Sequence, residues 1–336
     1  MTYRKRLAAA VLAGLLALSL CACGGKKGAE GLTEVTVCLD WTPNTNHTGI
    51  YVAQEKGWFR EAGLEVTIVQ PAEDSAAVVC AAGQAEFAIT AQDSMAAAFA
   101  REEPLGITAV AAILQHNTSG ILARAGEGMD TPRGLAGKQY STWNGPIELA
   151  MVEWVVEQDG GSFADVKLIP NSITDEAGAL REHQTDAVWV FYGWSGIAAE
   201  LAGVDTDYFA FSDLDPVLDY YTPVIVANND FLTEEGDTAR AFLAAVSRGY
   251  EYAIEHPEEA AGILIAGDTT GSLRGSEELV LASQKWMAEQ YKAEAEQWGY
   301  MDPQRWNAFY GWLFEHGLLE RAIPENTGFS NEYLPS

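Results

Sequence analysis

What most constrains this chain is an alternation of short apolar strands with amphipathic helices that runs twice before a mostly helical tail. The first series reads as strands at Val35 to Leu39, Glu65 to Val69, Phe87 to Thr90 and Ile107 to Leu114, with helices after Thr48, Ser75 and Ser94. A second series follows Thr131-Pro132-Arg133-Gly134, with strands near Gln139 to Ser141, Val166 to Ile169, Ala187 to Phe191 and Tyr208 to Phe211, and helices after Pro146, Thr174 and Gly193. One more strand, Pro223 to Ala227, precedes helical patterns at Glu235 to Glu255, Glu258 to Ile265, Ser276 to Tyr291 and Pro303 to Phe314. About 300 residues in this pattern exceed one typical domain and predict an α/β architecture of two lobes. The expected division is lobe I over 34–124, lobe II over 125–222, and a return to lobe I over 223–336.

Ahead of these lobes, Arg4-Lys5-Arg6 precedes an apolar stretch from Leu7 to Leu20 that is too short to span a bilayer and suits a secretory signal. Residues 1–22 are therefore expected to be removed. Beyond Cys21 and Cys23, the two remaining cysteines, Cys38 and Cys80, lie in apolar surroundings and are too few for a disulfide framework, so both read as buried thiols.

With 20 basic against 48 acidic residues and a formal charge of −28, nucleic acid is excluded as a partner, and so is electrostatic attachment to anionic lipid. His47, His116, His183, His256 and His316 lack close metal-ligand spacing, and neither a phosphate-cradling Gly-Lys-Ser/Thr loop nor a Gly-x-Ser-x-Gly elbow occurs. No metal, cofactor or catalytic group is expected.

Candidate binding groups gather where strands end. Leu39-Asp40-Trp41-Thr42-Pro43-Asn44-Thr45-Asn46-His47-Thr48-Gly49 closes the first strand and opens a helix, which is where an open α/β sheet places its ligand crevice. An ordinary turn explains Pro43 and the asparagines, but not Trp41 and His47 together. Trp143, Asn144 and Glu148 stand at the start of the helix opened by Pro146, where Glu148 serves either a ligand or the helix dipole. Tyr192, Trp194, Tyr220 and Tyr221 also fall near strand ends, whereas Trp154 and Trp189 sit within apolar patterns and read as core. Together the aromatic rings suit a flat heteroaromatic ligand, and Asp40, Asn44, His47, Asn144 and Glu148 suit its hydrogen-bonding edge.

Over nearly all of the chain after its leader, the residues resemble a solute-binding lipoprotein of an ABC importer, of the group that binds thiamin-pyrimidine precursors such as N-formyl-aminomethylpyrimidine. The resemblance rests on Leu39 to Gly49, on Gln54-Glu55-Lys56-Gly57-Trp58-Phe59-Arg60-Glu61-Ala62-Gly63-Leu64, on Trp143-Asn144-Gly145-Pro146-Ile147-Glu148, and on Phe191-Tyr192-Gly193-Trp194 with Asp215 to Ile225. Leu20-Cys21-Ala22-Cys23 likewise resembles a lipobox, with Cys23 as the lipidated first residue and 23–33 as a tether.

The resemblance implies a type II periplasmic-binding fold, two α/β lobes joined by two crossing strands around a cleft that closes on the ligand. It implies a monomer that meets a membrane permease and its ATPase and is anchored through the lipid on Cys23. One departure stands out: relatives often carry an acid after Tyr-Gly-Trp, where this chain has Ser195.

Two rival readings remain. The same importer role fits another solute, such as a riboflavin precursor, another heteroaromatic or a sulfonate, although the candidate loops hold no Arg or Lys for a small anion. The eukaryotic pyrimidine synthase of thiamin biosynthesis resembles the chain around His47, but that enzyme carries adjacent cysteines where this chain has Asp219-Tyr220-Tyr221-Thr222-Pro223.

Overall fold

The computed structural model describes Gly28, 31–70 and 75–335. The expected signal segment, Cys23 and most of the expected tether lie outside the described residues.

Two five-stranded mixed sheets form the two lobes. In the first, β1 (Thr33–Cys38), β2 (Leu64–Val69), β3 (Phe87–Thr90), β4 (Ile107–Ala112) and β10 (Val224–Asn228) stand in the order β2-β1-β3-β10-β4. In the second, β5 (Ser119–Arg124), β6 (Gln139–Thr142), β7 (Lys167–Pro170), β8 (Ala187–Phe191) and β9 (Thr206–Ala210) stand in the order β7-β6-β8-β5-β9. Both sheets follow one plan. β1 runs parallel to β2 and β3, as β6 runs parallel to β7 and β8, and a single antiparallel strand, β10 or β5, separates this trio from the far edge.

Strand pairing moves the first lobe boundary. The change expected after Arg124 comes earlier, in 113–118, because β5 pairs with β8 and β9 of the second sheet. This strand escaped the sequence reading because it opens with Ser119-Gly120. Gly120 is required by the pairing itself, since a Cβ there would stand 2.9 Å from the Ala210 Cα. The chain is back in the first sheet at β10, whose five residues are all buried, as suits a strand covered on both faces.

The helices that matter for the cleft are α1 (Thr48–Glu55), α2 (Gln92–Phe99), α3 (Pro146–Gln158), α4 (Gly236–Glu255), α5 (Pro257–Gly267), α6 (Glu277–Gln290) and α7 (Pro303–Glu315). Helices α1, α4, α5 and α6 bury Ile50, Phe242, Leu264 and Val280 against one face of the first sheet. Met95 of α2 and Phe309 of α7 belong to a core that continues through Phe211, Leu218 and Tyr220 into the second lobe, reaching Trp189 and Met151. The lobes thus share apolar packing at the crossing as well as two chain connections.

Candidate ligand-binding cleft

In each sheet the three parallel strands point their carboxyl ends the same way, and the loops leaving those ends carry most of the predicted site. After β1, the loop folds around His47, which is fully buried. Its Nδ1 receives the Asn44 backbone N–H at 3.2 Å, so Nε2 bears the ring proton and donates to Asp40 Oδ1 at 2.8 Å. The Asn44 side chain is spent on the turn, with Oδ1 accepting from Asn46 N at 2.9 Å and Nδ2 donating to Thr42 O at 3.0 Å. His47 and Asn44 therefore build the loop, and what they present outward is the Asp40 carboxylate and the Trp41 ring, which is 60% exposed.

The loop after β6 is built on similar lines. Glu148 is buried, with Oε1 receiving the Tyr140 hydroxyl at 2.7 Å and Oε2 receiving the Thr142 hydroxyl at 2.8 Å and the Gly145 N–H at 3.1 Å. Of the two roles open to it in the sequence, the geometry gives it the helix-capping one. Burial, then the Glu148 charge, pushes the Tyr140 hydroxyl well above the ordinary phenol range. Held by this cap, Asn144 takes a left-handed φ of 62° while its N–H binds Thr142 Oγ1 at 2.7 Å. Trp143 is left 53% exposed, edge-on to Trp189 at 5.4 Å.

After β8 the chain makes one wide π-helical turn, Tyr192–Gly196, a form that recurs at functional sites. The Tyr192 ring lies against Tyr208 at 4.6 Å and Trp286 at 5.5 Å, and its hydroxyl donates to Glu200. Burial and that carboxylate push the Tyr192 hydroxyl up to about 12. Trp194 is half-buried against the first-lobe core. This turn therefore belongs to the seam between the lobes.

Tyr220 and Tyr221 are core residues and depart from the expected cleft position. Tyr220 stacks on Phe309 at 4.1 Å, while Tyr221 lies parallel to Trp306 and its hydroxyl accepts the Asp302 N–H at 2.7 Å. Gln92 closes over them, its N–H donating to the Tyr221 carbonyl at 3.1 Å and its side-chain Oε1 accepting the Tyr221 N–H at 3.0 Å. Their rings have no face left for a ligand.

The sequence reading overlooked the groups that line the crossing. A cavity of about 440 Å³ lies there, between His116, Asn117 and Thr118 of the first connection, Tyr208 and Asp213 of the second lobe, and Trp286 of the first. His116 bonds Asp219 at 2.7 Å and Glu294 at 2.8 Å, with Arg305 beside Asp219 at 3.5 Å. These bonds, that to Asp219 foremost, raise the imidazole to about 9. Only the tertiary fold joins residues so far apart in sequence. Among the described residues no cluster of His, Cys, Asp or Glu is arranged for a metal ion, and Cys38 and Cys80 are buried free thiols. Burial in the core pushes Cys80 up to about 12, so it stays protonated.

Two lobes, two connections and a cleft edged by strand ends define the periplasmic-binding fold. Among solved structures, the aliphatic sulphonate binding protein of Escherichia coli superposes with a TM-score of 0.65 over 86% of this chain and 89% of its own, at 14% identity. The family model described as NMT1/THI5 like matches residues 44–260, and the chain belongs to that family. It is similar to the formylaminopyrimidine-binding protein of Halalkalibacterium halodurans, 27% identical over 96% of this chain and 97% of that protein. It is also similar to a 4-amino-5-hydroxymethyl-2-methylpyrimidine phosphate synthase of Saccharomyces cerevisiae, 24% identical over 68% of this chain and 69% of that one.

Proposed function

We propose that this protein is the exported, lipid-anchored solute receptor of an ABC importer and that its ligand is an amino-pyrimidine precursor of thiamin. The observation that carries the reading is the end-to-end similarity to a protein named for binding formylaminopyrimidine, together with the family match. The cleft chemistry supports it. Trp41 and Trp143 offer free ring faces on loops of opposite lobes, and Asp40 offers a carboxylate oriented by buried His47 to an exocyclic amine. Each stacked ring contributes about 0.5–1.5 kcal/mol beyond the area it buries, and the carboxylate selects the hydrogen-bonding edge.

Binding by closure needs no covalent step, and the chain is read as a receptor and not a synthase. Where the resemblance places adjacent cysteines in the enzyme, this chain has Tyr220 and Tyr221 packed into the core. The lipid on Cys23 would hold the receptor at the outer face of the cytoplasmic membrane, where the closed form meets the permease.

Calorimetric titration with formylaminopyrimidine, hydroxymethylpyrimidine, thiamin, riboflavin and taurine tests this reading. Binding confined to a pyrimidine, weakened roughly tenfold by Trp41→Ala or Trp143→Ala with the melting temperature nearly unchanged, is the expected result. Heat with taurine alone would move the receptor to the sulfonates. Turnover of a pyrimidine product would make it an enzyme.

A further inference from the structure

Helix α6 is a first-lobe element, with Val280 and Met287 in the first-lobe core, yet its buried Ser283 touches both halves of the cleft. The Ser283 hydroxyl donates to the Gly193 carbonyl, in the turn that leaves β8 of the second lobe. A serine has one proton to give, so its 2.7 Å contact with Thr45 Oγ1 must be one in which Thr45 donates. The result is a directed relay, from the ligand loop through Ser283 to the second lobe.

Two further bonds fasten the ligand loop to the same helix and its end. The Tyr291 hydroxyl donates to the Thr45 carbonyl at 2.6 Å, and the Thr48 hydroxyl donates to Gln284 Oε1 at 2.6 Å. On the other side, Gly193 fits because it lacks a side chain. A Cβ there would come within 2.6 Å of Met287 Sδ and 2.9 Å of the Trp286 ring. The lobes are thus tightly packed where the relay crosses the seam.

We infer that Ser283 is a positioning residue for ligand capture: it latches the second lobe, through Gly193, to the loop that carries Asp40 and Trp41, and so couples occupancy of that loop to retention of the closed form. The inference rests on the reading that the ligand sits between the lobes, and it adds the group that holds them shut. Without the hydroxyl, the buried Gly193 carbonyl loses its donor whenever the lobes close, while the open form exposes that carbonyl to water; the Thr45 hydroxyl, on the same lobe as Ser283, loses its acceptor in both forms. The loss that differs between the forms, that at Gly193, falls on the closed state, so it shortens ligand residence without slowing encounter.

The test uses the full chain carrying Ser283→Ala, Ser283→Thr or Gly193→Ala, with formylaminopyrimidine as probe in stopped-flow tryptophan fluorescence. Ser283→Ala is expected to raise the dissociation rate about tenfold and leave the association rate within about twofold. Ser283→Thr, which keeps the hydroxyl, is expected to restore it, and Gly193→Ala to exceed Ser283→Ala. Hydrogen exchange of the unliganded chain is the second readout, and it needs no ligand. Ser283→Ala should speed exchange in a peptide spanning 190–200 while core peptides from β3 and β10 stay as protected as before. If the wild-type chain binds none of the pyrimidines, the ligand reading fails, and exchange at 190–200 still decides the latch. Unchanged exchange there, or a general loss of protection together with slower association, would overturn it.

Discussion

Asp93 links the stability of the first lobe to pH. It lies just past the carboxyl end of β3, in the first turn of α2. The residue is half-buried and its Oδ1 is shut off from solvent without a hydrogen-bond partner. Burial raises its carboxyl from 3.8 to about 6, against the opposing pull of the Ser94 N–H and its own. Burial first, and then the Asp93 charge, push the Tyr220 and Tyr310 hydroxyls well above the ordinary phenol range. The folded state thus holds this proton more tightly than the unfolded chain. Its contribution to stability is full below about pH 4 and is lost as the pH rises through about 6.

The rise from 3.8 to about 6 corresponds to about 3 kcal/mol at full value. The exposed part of the side chain screens some of this, and an amide leaves its own polar atom in the same pocket, so about 1–2 kcal/mol should be recoverable. Asp93→Asn is therefore expected to raise the melting temperature at pH 8 by about 2–3 °C and to leave it equal or slightly lower at pH 4. Thermal unfolding followed by near-ultraviolet circular dichroism from pH 4 to 8 measures this. A difference between the two proteins that does not change with pH would refute the argument, because a purely steric or hydrogen-bonding effect carries no proton.

Two more consequences follow from the placement of side chains. Tyr220→Ala should cost about 3–5 kcal/mol of stability, read by denaturant unfolding, because a buried ring stacked on Phe309 is removed; a loss of binding with unchanged stability would return this tyrosine to the cleft. At the crossing, His116 is held charged by Asp219 and Glu294, so its contribution is full below about pH 6.5 and lost as the pH rises through about 9. With a side chain one-third exposed, His116→Gln should cost only about 1 kcal/mol at pH 6 and nothing near pH 10, checked by urea midpoints at both.

Much of the fold was legible in the order of residues, because strand and helix periods are local properties. Phe87–Thr90 and Ala187–Phe191 have the bounds their apolar runs predict, and the long helical patterns after β10 are present. β5 was not legible, because Ser119-Gly120 looks like a turn until a neighbouring strand approaches Gly120. The lobe boundary depended on that strand and moved with it.

The site divides in the same way. Trp41 and Trp143 stand out in sequence as aromatic residues in polar loops, and their exposure depends on loops that Asp40, His47 and Glu148 build within a few residues of them. The sequence by itself thus determined the two-lobe α/β plan, the strand-end loops and their aromatic content. Tertiary structure alone decided that Tyr220 and Tyr221 belong to the core, because the rings that cover them, Phe309 and Trp306, arrive about ninety residues later. It also decided that Ser283, one small residue on an amphipathic helix, joins Thr45 to Gly193. Periodicity records which face of an element is buried, but which distant group a buried hydroxyl meets is set only when the elements pack.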